Sequence, residues 1–131
     1  MSGPVRDTEA MIAGMAPELL AGEVAFVSLP APEAAAYMAE ARAAIREAEG
    51  VTLILPRTHA AVPEDALALR QITLRVHSAL DGVGLTAAVA GALAAAQIPC
   101  NVVAGFHHDH IFVPASEAER AVTVLRDRAQ A

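Results

Sequence analysis

The chain has 131 residues, of which 55% are hydrophobic and only 3% aromatic, and its formal net charge is -6. This length suits one compact domain, or two very small ones that share a core. The nine basic residues are all arginines scattered along the chain. This pattern offers no basic stripe to bind a phosphate backbone. Tyr37 is the sole tyrosine, so there is no series of aromatic rings on which bases could stack. The sequence therefore disfavours nucleic-acid binding.

A single cysteine and a modest apolar stretch indicate a cytoplasmic protein without a membrane span. Cys100 has no second cysteine to pair with, and its apolar neighbours suggest a reduced core thiol. The first residues lack the apolar run of a signal peptide. The most apolar stretch, Val83 to Ala96, is shorter than the roughly 20 residues that a bilayer requires.

The first half of the chain predicts short helices and strands in alternation. They are a helix of one or two turns within Thr8–Leu20, a strand at Glu23–Leu29, a helix at Glu33–Ala48 and a strand at Val51–Leu55. Pro17 is expected to stop the first helix, because proline has no amide hydrogen to donate. Gly50 is expected to end the second helix. The unbroken apolar run that follows is typical of a strand covered on both faces.

The second half shows clearer periodicity. Apolar residues alternate with polar ones over Ile72–Val76, which predicts a strand with one buried face. After the turn at Asp81–Gly84, apolar residues four apart predict a helix through Gln97. Two strand-like runs, Cys100–Ala104 and His110–Val113, are close enough to form a hairpin.

A last helix is expected after this hairpin. Ser116 and Glu119 have the spacing of a capping box, in which each side chain satisfies a free backbone amide at the start of a helix. The apolar face of this helix would consist of Ala118, Ala121, Val122 and Leu125.

The order from Ile72 onward is therefore strand, helix, strand, strand, helix. This is the ferredoxin-like α+β arrangement, an antiparallel sheet with helices on one face, without its closing strand. The open edge could be covered by one of two strands from the first half, Val51–Leu55 or Glu23–Leu29. The first half would then be a degenerate copy of the second.

The second half resembles an ACT domain. The resemblance is carried by Val76-His77-Ser78 with Val83-Gly84-Leu85-Thr86-Ala87, by Ile98-Pro99-Cys100-Asn101-Val102-Val103, and by His108-Asp109-His110-Ile111-Phe112-Val113-Pro114. The chain is most similar to small stand-alone proteins with tandem ACT-like halves, related to the regulatory region of aspartate kinases. This similarity implies a βαββα sandwich at residues 67–131, and at 1–66 a degenerate ACT-like half with a leading helix, the two halves sharing a sheet.

The resemblance also implies a regulatory protein that binds an amino acid at a homodimer interface, near the turn after the first strand, without a cofactor. In this chain the implied contacts are Asp81, Gly82, Val83, Gly84, Leu85, Thr86, Asn101 and Val102. The two glycines allow a ligand to approach the backbone, and the helix start offers free amides to a carboxylate. Asp81 could neutralise an ammonium group, and Asn101 offers both a donor and an acceptor.

Two other functions stay open at the level of sequence. His107, His108, Asp109 and His110 could bind a metal ion, either as a carrier or as a metal-dependent enzyme, although neighbours on an extended chain point to opposite faces. A structural adaptor whose sheet edge pairs with another protein is the other alternative. No nucleophile motif accompanies the serines, so the sequence favours a protein that is not an enzyme.

Overall fold

The computed structural model describes residues 3–131 of the chain. The helices are α1 (Thr8–Ala13), α2 (Ala31–Ala36), α3 (Leu85–Ala95) and α4 (Ala118–Gln130). The strands are β1 (Pro17–Leu19), β2 (Val24–Leu29), β3 (Ala43–Glu47), β4 (Gly50–Pro56), β5 (Leu69–Leu74), β6 (Asn101–Ala104) and β7 (Asp109–Pro114). Short 3-10 turns at Met38–Glu40 and Ala115–Glu117 complete the regular structure.

The first of two compact units joins the N-terminal segment up to Ala21 to Arg70–Ala131. Its strands lie in the order β1, β5, β7, β6, and β1–β5 and β6–β7 are antiparallel pairs. One face of these strands packs with α1, α3 and α4 around a common apolar core. The unit is therefore an antiparallel sheet with helices on one face, the ferredoxin-like α+β fold that the sequence predicted.

The second unit consists of Gly22–Leu69 and is smaller. Its strand β4 lies between β2 and β3 and pairs antiparallel with both. Leu53, Ile54 and Leu55 are completely buried, which confirms the predicted strand with two covered faces. Alanines from α2 and its surroundings pack on the sheet, so this core buries little area per side chain.

Several elements agree with their predictions. The strand at Glu23–Leu29 is present as β2, and the predicted hairpin is present as β6 and β7. Helix α3 buries the stripe of Leu85, Val89 and Leu93, and α4 buries its predicted apolar face. These segments are the ones in which apolar spacing agrees with a single element type.

The helix predicted at Glu33–Ala48 is wrong. The helical part ends at Ala36, and Ala43–Glu47 instead forms β3, which pairs with β4 from Ala43–Ile54 to Glu47–Gly50. Gly50 consequently begins a strand and does not end a helix: its φ is +155°, and a Cβ there would lie 2.8 Å from the Leu29 carbonyl oxygen. Pairing with a buried strand outweighs the helical preference of the alanines.

Helix α1 has the one or two turns predicted at the start of the chain, whereas the edge of β5 is covered in part by a strand that the sequence did not indicate. Helix α1 ends at Ala13, where the Gly14 amide donates back to Ala10. Pro17 starts β1, which pairs antiparallel with β5 at Ile72–Leu74, and the predicted Glu23–Leu29 strand, β2, pairs with β5 through Val24 and Leu69. A three-residue strand is too short to show alternation, so its pattern is invisible in the sequence.

Two finer predictions are also corrected. Ser116 lies inside a 3-10 turn, and α4 starts at Ala118 with Glu117 as its cap and no capping side chain, so the capping box is not formed. Strand β5 is buried on both faces, because Gln71 and Thr73 are 7% and 3% exposed. Both polar side chains are hydrogen-bonded, which makes their burial tolerable.

The domain bounds 1–66 and 67–131 stay a prediction, since compactness groups the first residues of the chain with its second half. None of the helices in residues 3–131 combines the length and the apolar character needed to cross a bilayer.

Candidate functional site

The predicted ligand turn is part of the segment that joins β5 to α3 in the first unit. We call this whole segment, residues 75–84, the ligand turn. Gly84 stands at the N-terminal cap of α3 with a φ of +109°, a conformation that favours glycine. No side chain caps this helix end, so the amides of its first turn point outward without a side-chain acceptor. Eleven residues of helix give these amides the positive end of an aligned dipole.

A cavity of about 400 Å³ opens at this turn. Its walls are Met11, Ser78, Ala79, Leu80, Gly82, Val83, Gly84, Leu85, Thr86, Ala87, Ala104 and Asp109. All of them belong to the first unit. The cavity is therefore bounded by the ligand turn, by one residue of α1 and by the loop end of the β6–β7 hairpin.

The predicted contacts divide into two groups. The five residues from Gly82 to Thr86 line the cavity, whereas Asp81 does not. The Asp81 carboxylate is 74% exposed and accepts from the Arg6 guanidinium at 3.2 Å. Asn101 and Val102 lie on β6 opposite Phe112 and Ile111 and are outside the cavity.

Asp109 is the acid that the ligand prediction missed. It supplies a carboxylate to the cavity wall and accepts from the Ser78 hydroxyl at 3.3 Å. The sequence had placed Asp109 only among the possible metal ligands. Its role at the turn depends on the register of the β6–β7 hairpin, which brings Asp109 opposite Ala104 and which apolar spacing alone does not fix.

The histidine cluster is divided among different partners. His108 Nδ1 lies 3.2 Å from the Val76 carbonyl oxygen, and His110 Nδ1 lies 2.9 Å from the Thr73 hydroxyl. His107 stacks near His77, with ring centroids 5.1 Å apart. Within residues 3–131, no three histidine, cysteine, aspartate or glutamate side chains are grouped so that they could hold a metal ion.

Burial changes the acid–base behaviour of two groups in the first unit. It lowers the pKa of His110, with a further lowering from His108 and a partial opposing effect from Asp109. It raises the pKa of the half-buried Cys100 thiol. A thiol with a raised pKa is a poor nucleophile at neutral pH, which agrees with a structural cysteine.

A larger cavity of about 600 Å³ lies in the second unit, between α2 and the β3–β4 hairpin. Alanine is the commonest residue of its lining, which also includes Arg46, Glu47 and Glu49. The turn motif singled out in the sequence lies in the other unit. Size alone does not identify a site, so we place the candidate site at the smaller cavity, where free amides and a carboxylate converge.

Comparisons with known proteins agree with this fold. A family model described as an ACT domain matches residues 67–127. A second ACT-domain model matches residues 4–66. None of the curated proteins matches the sequence.

Among solved structures, a Vibrio cholerae protein of unknown function, described as a possible transport protein, is 38% identical, with a TM-score of 0.79 over 93% of this chain and 95% of that one. A protein from Agrobacterium tumefaciens is 21% identical, with a TM-score of 0.66 over 86% of this chain and 87% of that one. The ligand-free regulatory subunit of aspartate kinase from Thermus thermophilus is 13% identical, with a TM-score of 0.64 over 88% of this chain and 97% of that one. The last two similarities show the fold alone.

Proposed function

Because the chain belongs to the ACT-domain family, with two such domains in tandem, we propose that it is a regulatory protein that binds a small amino acid or a related metabolite. The binding site is the cavity at the turn before α3. The observation that carries this proposal is the meeting of uncapped helix amides with the Asp109 carboxylate in one cavity. In this proposal the protein senses a metabolite and does not transform it.

The carboxylate of an amino acid suits the start of α3. The amides of the first helical turn can donate to it, and the helix dipole favours a negative charge there. Gly82 and Gly84 add no side chain between the ligand and the backbone. These features explain why glycines and a bare helix start stand together at this turn.

The ammonium group of the same ligand suits Asp109. Its carboxylate is the one acidic group on the wall of this cavity, and a charge-assisted hydrogen bond is stronger than a neutral one. Asp81, the acid that the sequence favoured, is instead paired with Arg6 and does not line the cavity. We therefore assign the ammonium contact to Asp109, while Asn101 and Val102 stay predictions.

Met11 and Ala104 limit the ligand's size. A cavity of about 400 Å³ holds a small amino acid together with some water. Thr86 adds a hydroxyl to its wall. The proposed ligands are accordingly small zwitterions. We further propose that they bind a homodimer of this chain, and that they do so in the cytoplasm.

A thermal-shift screen of the twenty amino acids tests the proposal. A ligand at 100 times its Kd adds about 2.7 kcal/mol of stability, which raises the Tm of a chain of this length by roughly 10 °C. Asp109→Asn should abolish most of the shift, because it removes the charge that faces the ammonium group. Asp127→Asn, at an exposed position of α4, is the matched control and should keep the shift.

Two results would contradict this function. One is a wild-type protein whose Tm responds to none of the amino acids. The other is an equal shift in wild-type and Asp109→Asn protein, which would move the ligand away from this cavity. Divalent metals in the same screen test the metal-binding alternative.

A further inference from the structure

The N-terminal arm, residues Pro4–Thr8, runs along the ligand turn and contacts it repeatedly. The Val5 amide donates to the His77 carbonyl at 2.7 Å, and the Ala79 amide donates to the Val5 carbonyl at 2.8 Å. These two bonds make a parallel bridge between Val5 and Ser78. The arm therefore adds one residue of sheet-like pairing to a segment outside the named strands.

Thr8 fixes the other end of the same turn. Its hydroxyl donates to the Val83 carbonyl. Its methyl group fills the space above Gly84, because a Cβ at Gly84 would lie 2.5 Å from Thr8 Cγ2. The residue thus holds the turn by a hydrogen bond and by close packing, immediately before the amides of α3.

The middle of the arm contributes less to holding the ligand turn. The Arg6–Asp81 pair is exposed on both sides, at 66% and 74%, and an exposed pair of this kind contributes little stability. Following the arm, Met11 of α1 packs under the turn, with its sulfur 3.0 Å from the position of a Cβ at Gly82. The order that the arm imposes thus depends chiefly on Val5 and Thr8.

The turn has little regular structure that would hold it otherwise. Residues 75–84 belong to no helix or named strand of the described chain. Irregular segments are held by their neighbours, and they open locally at a lower free energy than the core. The arm contacts this segment at residues 77–79 and 83–84, while the Arg75 and Val76 amides at its beginning donate to the Ala16 and Met15 carbonyls.

We infer that residues Pro4–Thr8 form a strap that holds the ligand turn in its binding shape, and that Thr8 is a positioning residue for ligand binding. The strap closes the turn, and ligand binding and strap closure stabilise each other reciprocally. The effect on ligand affinity rests on the proposed function, whereas the effect on the turn does not.

Hydrogen–deuterium exchange of the full chain, without ligand, tests the strap itself. Thr8→Val keeps the shape of the side chain and removes the hydroxyl, and it should speed exchange of the Ala79 amide about tenfold, the effect of one hydrogen bond. Thr8→Ser restores the hydroxyl and should bring the rate back towards that of the wild type. Thr123→Val is the matched control, because Thr123 also donates its hydroxyl to a backbone carbonyl, that of Glu119 in α4.

An internal reference separates local opening from general loss of stability. The Ile98 amide donates to Leu93 within the same unit, and its exchange should stay unchanged in Thr8→Val. Should this variant fail to fold, Val5→Pro removes the single amide that donates to His77 and should also speed exchange at Ala79. Equal Ala79 rates in Thr8→Val and Thr123→Val, or in Val5→Pro and wild type, would overturn the strap.

The coupling is tested with an equimolar mixture of the twenty amino acids. The mixture should slow exchange at Ala79 in the wild type and have a weaker effect in Thr8→Val. If the mixture raises Tm equally in both proteins and leaves Ala79 unaffected, the coupling is overturned. If the mixture has no effect on wild-type Tm, the proposed function fails, and the ligand-free rates alone decide whether the strap exists.

Discussion

His110 is held in its neutral form by the residues around it. Its Nδ1 faces the Thr73 hydroxyl at 2.9 Å and the Gln71 amide nitrogen at 3.2 Å. The amide nitrogen is a donor, so Nδ1 accepts and the ring hydrogen sits on Nε2. A second proton on Nδ1 would therefore face the amide donor of Gln71, a buried side chain.

This arrangement predicts a loss of stability in mild acid. Burial and the neighbouring His108 lower the pKa of His110 below its ordinary value of 6.5, so below this pH the unfolded chain binds a proton that the folded chain does not. The stabilising contribution is complete above pH 6.5 and declines as the pH falls below it. Urea unfolding between about pH 8 and 5 measures the decline.

His110→Gln provides the comparison, because glutamine can accept from Thr73 and does not titrate. Its stability should depend less on pH than that of the wild type over the same interval. His107→Gln, at an exposed neighbour, should keep the wild-type dependence. Identical pH profiles for His110→Gln and wild type would contradict this account.

At single residues, the sequence indicated the glycine turn better than the acid beside it. Gly82 and Gly84 follow from local backbone chemistry, which is visible in a short stretch of sequence. Asp109 and His110 depend on which residues they face across strands, and the sequence suggested only a metal for them. Their partners Ser78 and Thr73 lie 31 and 37 residues away in the chain.

At the scale of elements, the start of α3 depends on a glycine in a left-handed conformation. Gly84→Ala should destabilise the protein by about 1–3 kcal/mol, because it combines backbone strain with the contact to Thr8. Urea unfolding gives the difference in free energy.

Gly91→Ala in the same helix is the control. A Cβ at Gly91 would meet nothing within 4 Å, so alanine should stabilise the helix by about 0.5–1 kcal/mol. Opposite signs for the two glycine variants are the expected result. A neutral Gly84→Ala would show that the turn can relax around a side chain.

The elements that the sequence predicted are those with a clear helical period or a short apolar run bounded by glycine or proline. Helix α3, strand β4 and the β6–β7 hairpin each have the pattern of one structure. The segment Glu33–Ala48 is rich in alanine, which fits a helix locally, yet its last third pairs with β4 as a strand. Tertiary contacts decide between helix and strand here, because the strand forms only beside a partner strand with a buried surface.

At the scale of the whole molecule, three exposed apolar side chains lie at the candidate site or beside it: two line its cavity, and Phe106 lines a neighbouring cavity together with Leu80. Leu80, Val83 and Phe106 are 69%, 75% and 72% exposed. Exposed apolar residues that lie together mark association surfaces. The proposed homodimer would bury them.

Sedimentation over a range of concentrations checks this proposal. The wild type should approach twice its chain mass of 13.5 kDa, and Phe106→Ser should shift the equilibrium towards the monomer. Leu67→Ser, at an exposed leucine of the second unit, should behave as wild type. A monomer at every concentration, with and without the amino-acid mixture, would exclude the homodimer.

The path of the chain has a consequence for the order in which the protein is made. Strand β1 needs β5 as its partner, with Leu19 opposite Ile72, and the entire second unit is encoded between them. During synthesis at about 5–20 residues per second, β1 therefore waits seconds for that partner. The second unit can fold within this interval, so we expect it to fold first, and the first unit to form only after α3, the β6–β7 hairpin and α4 have been synthesised.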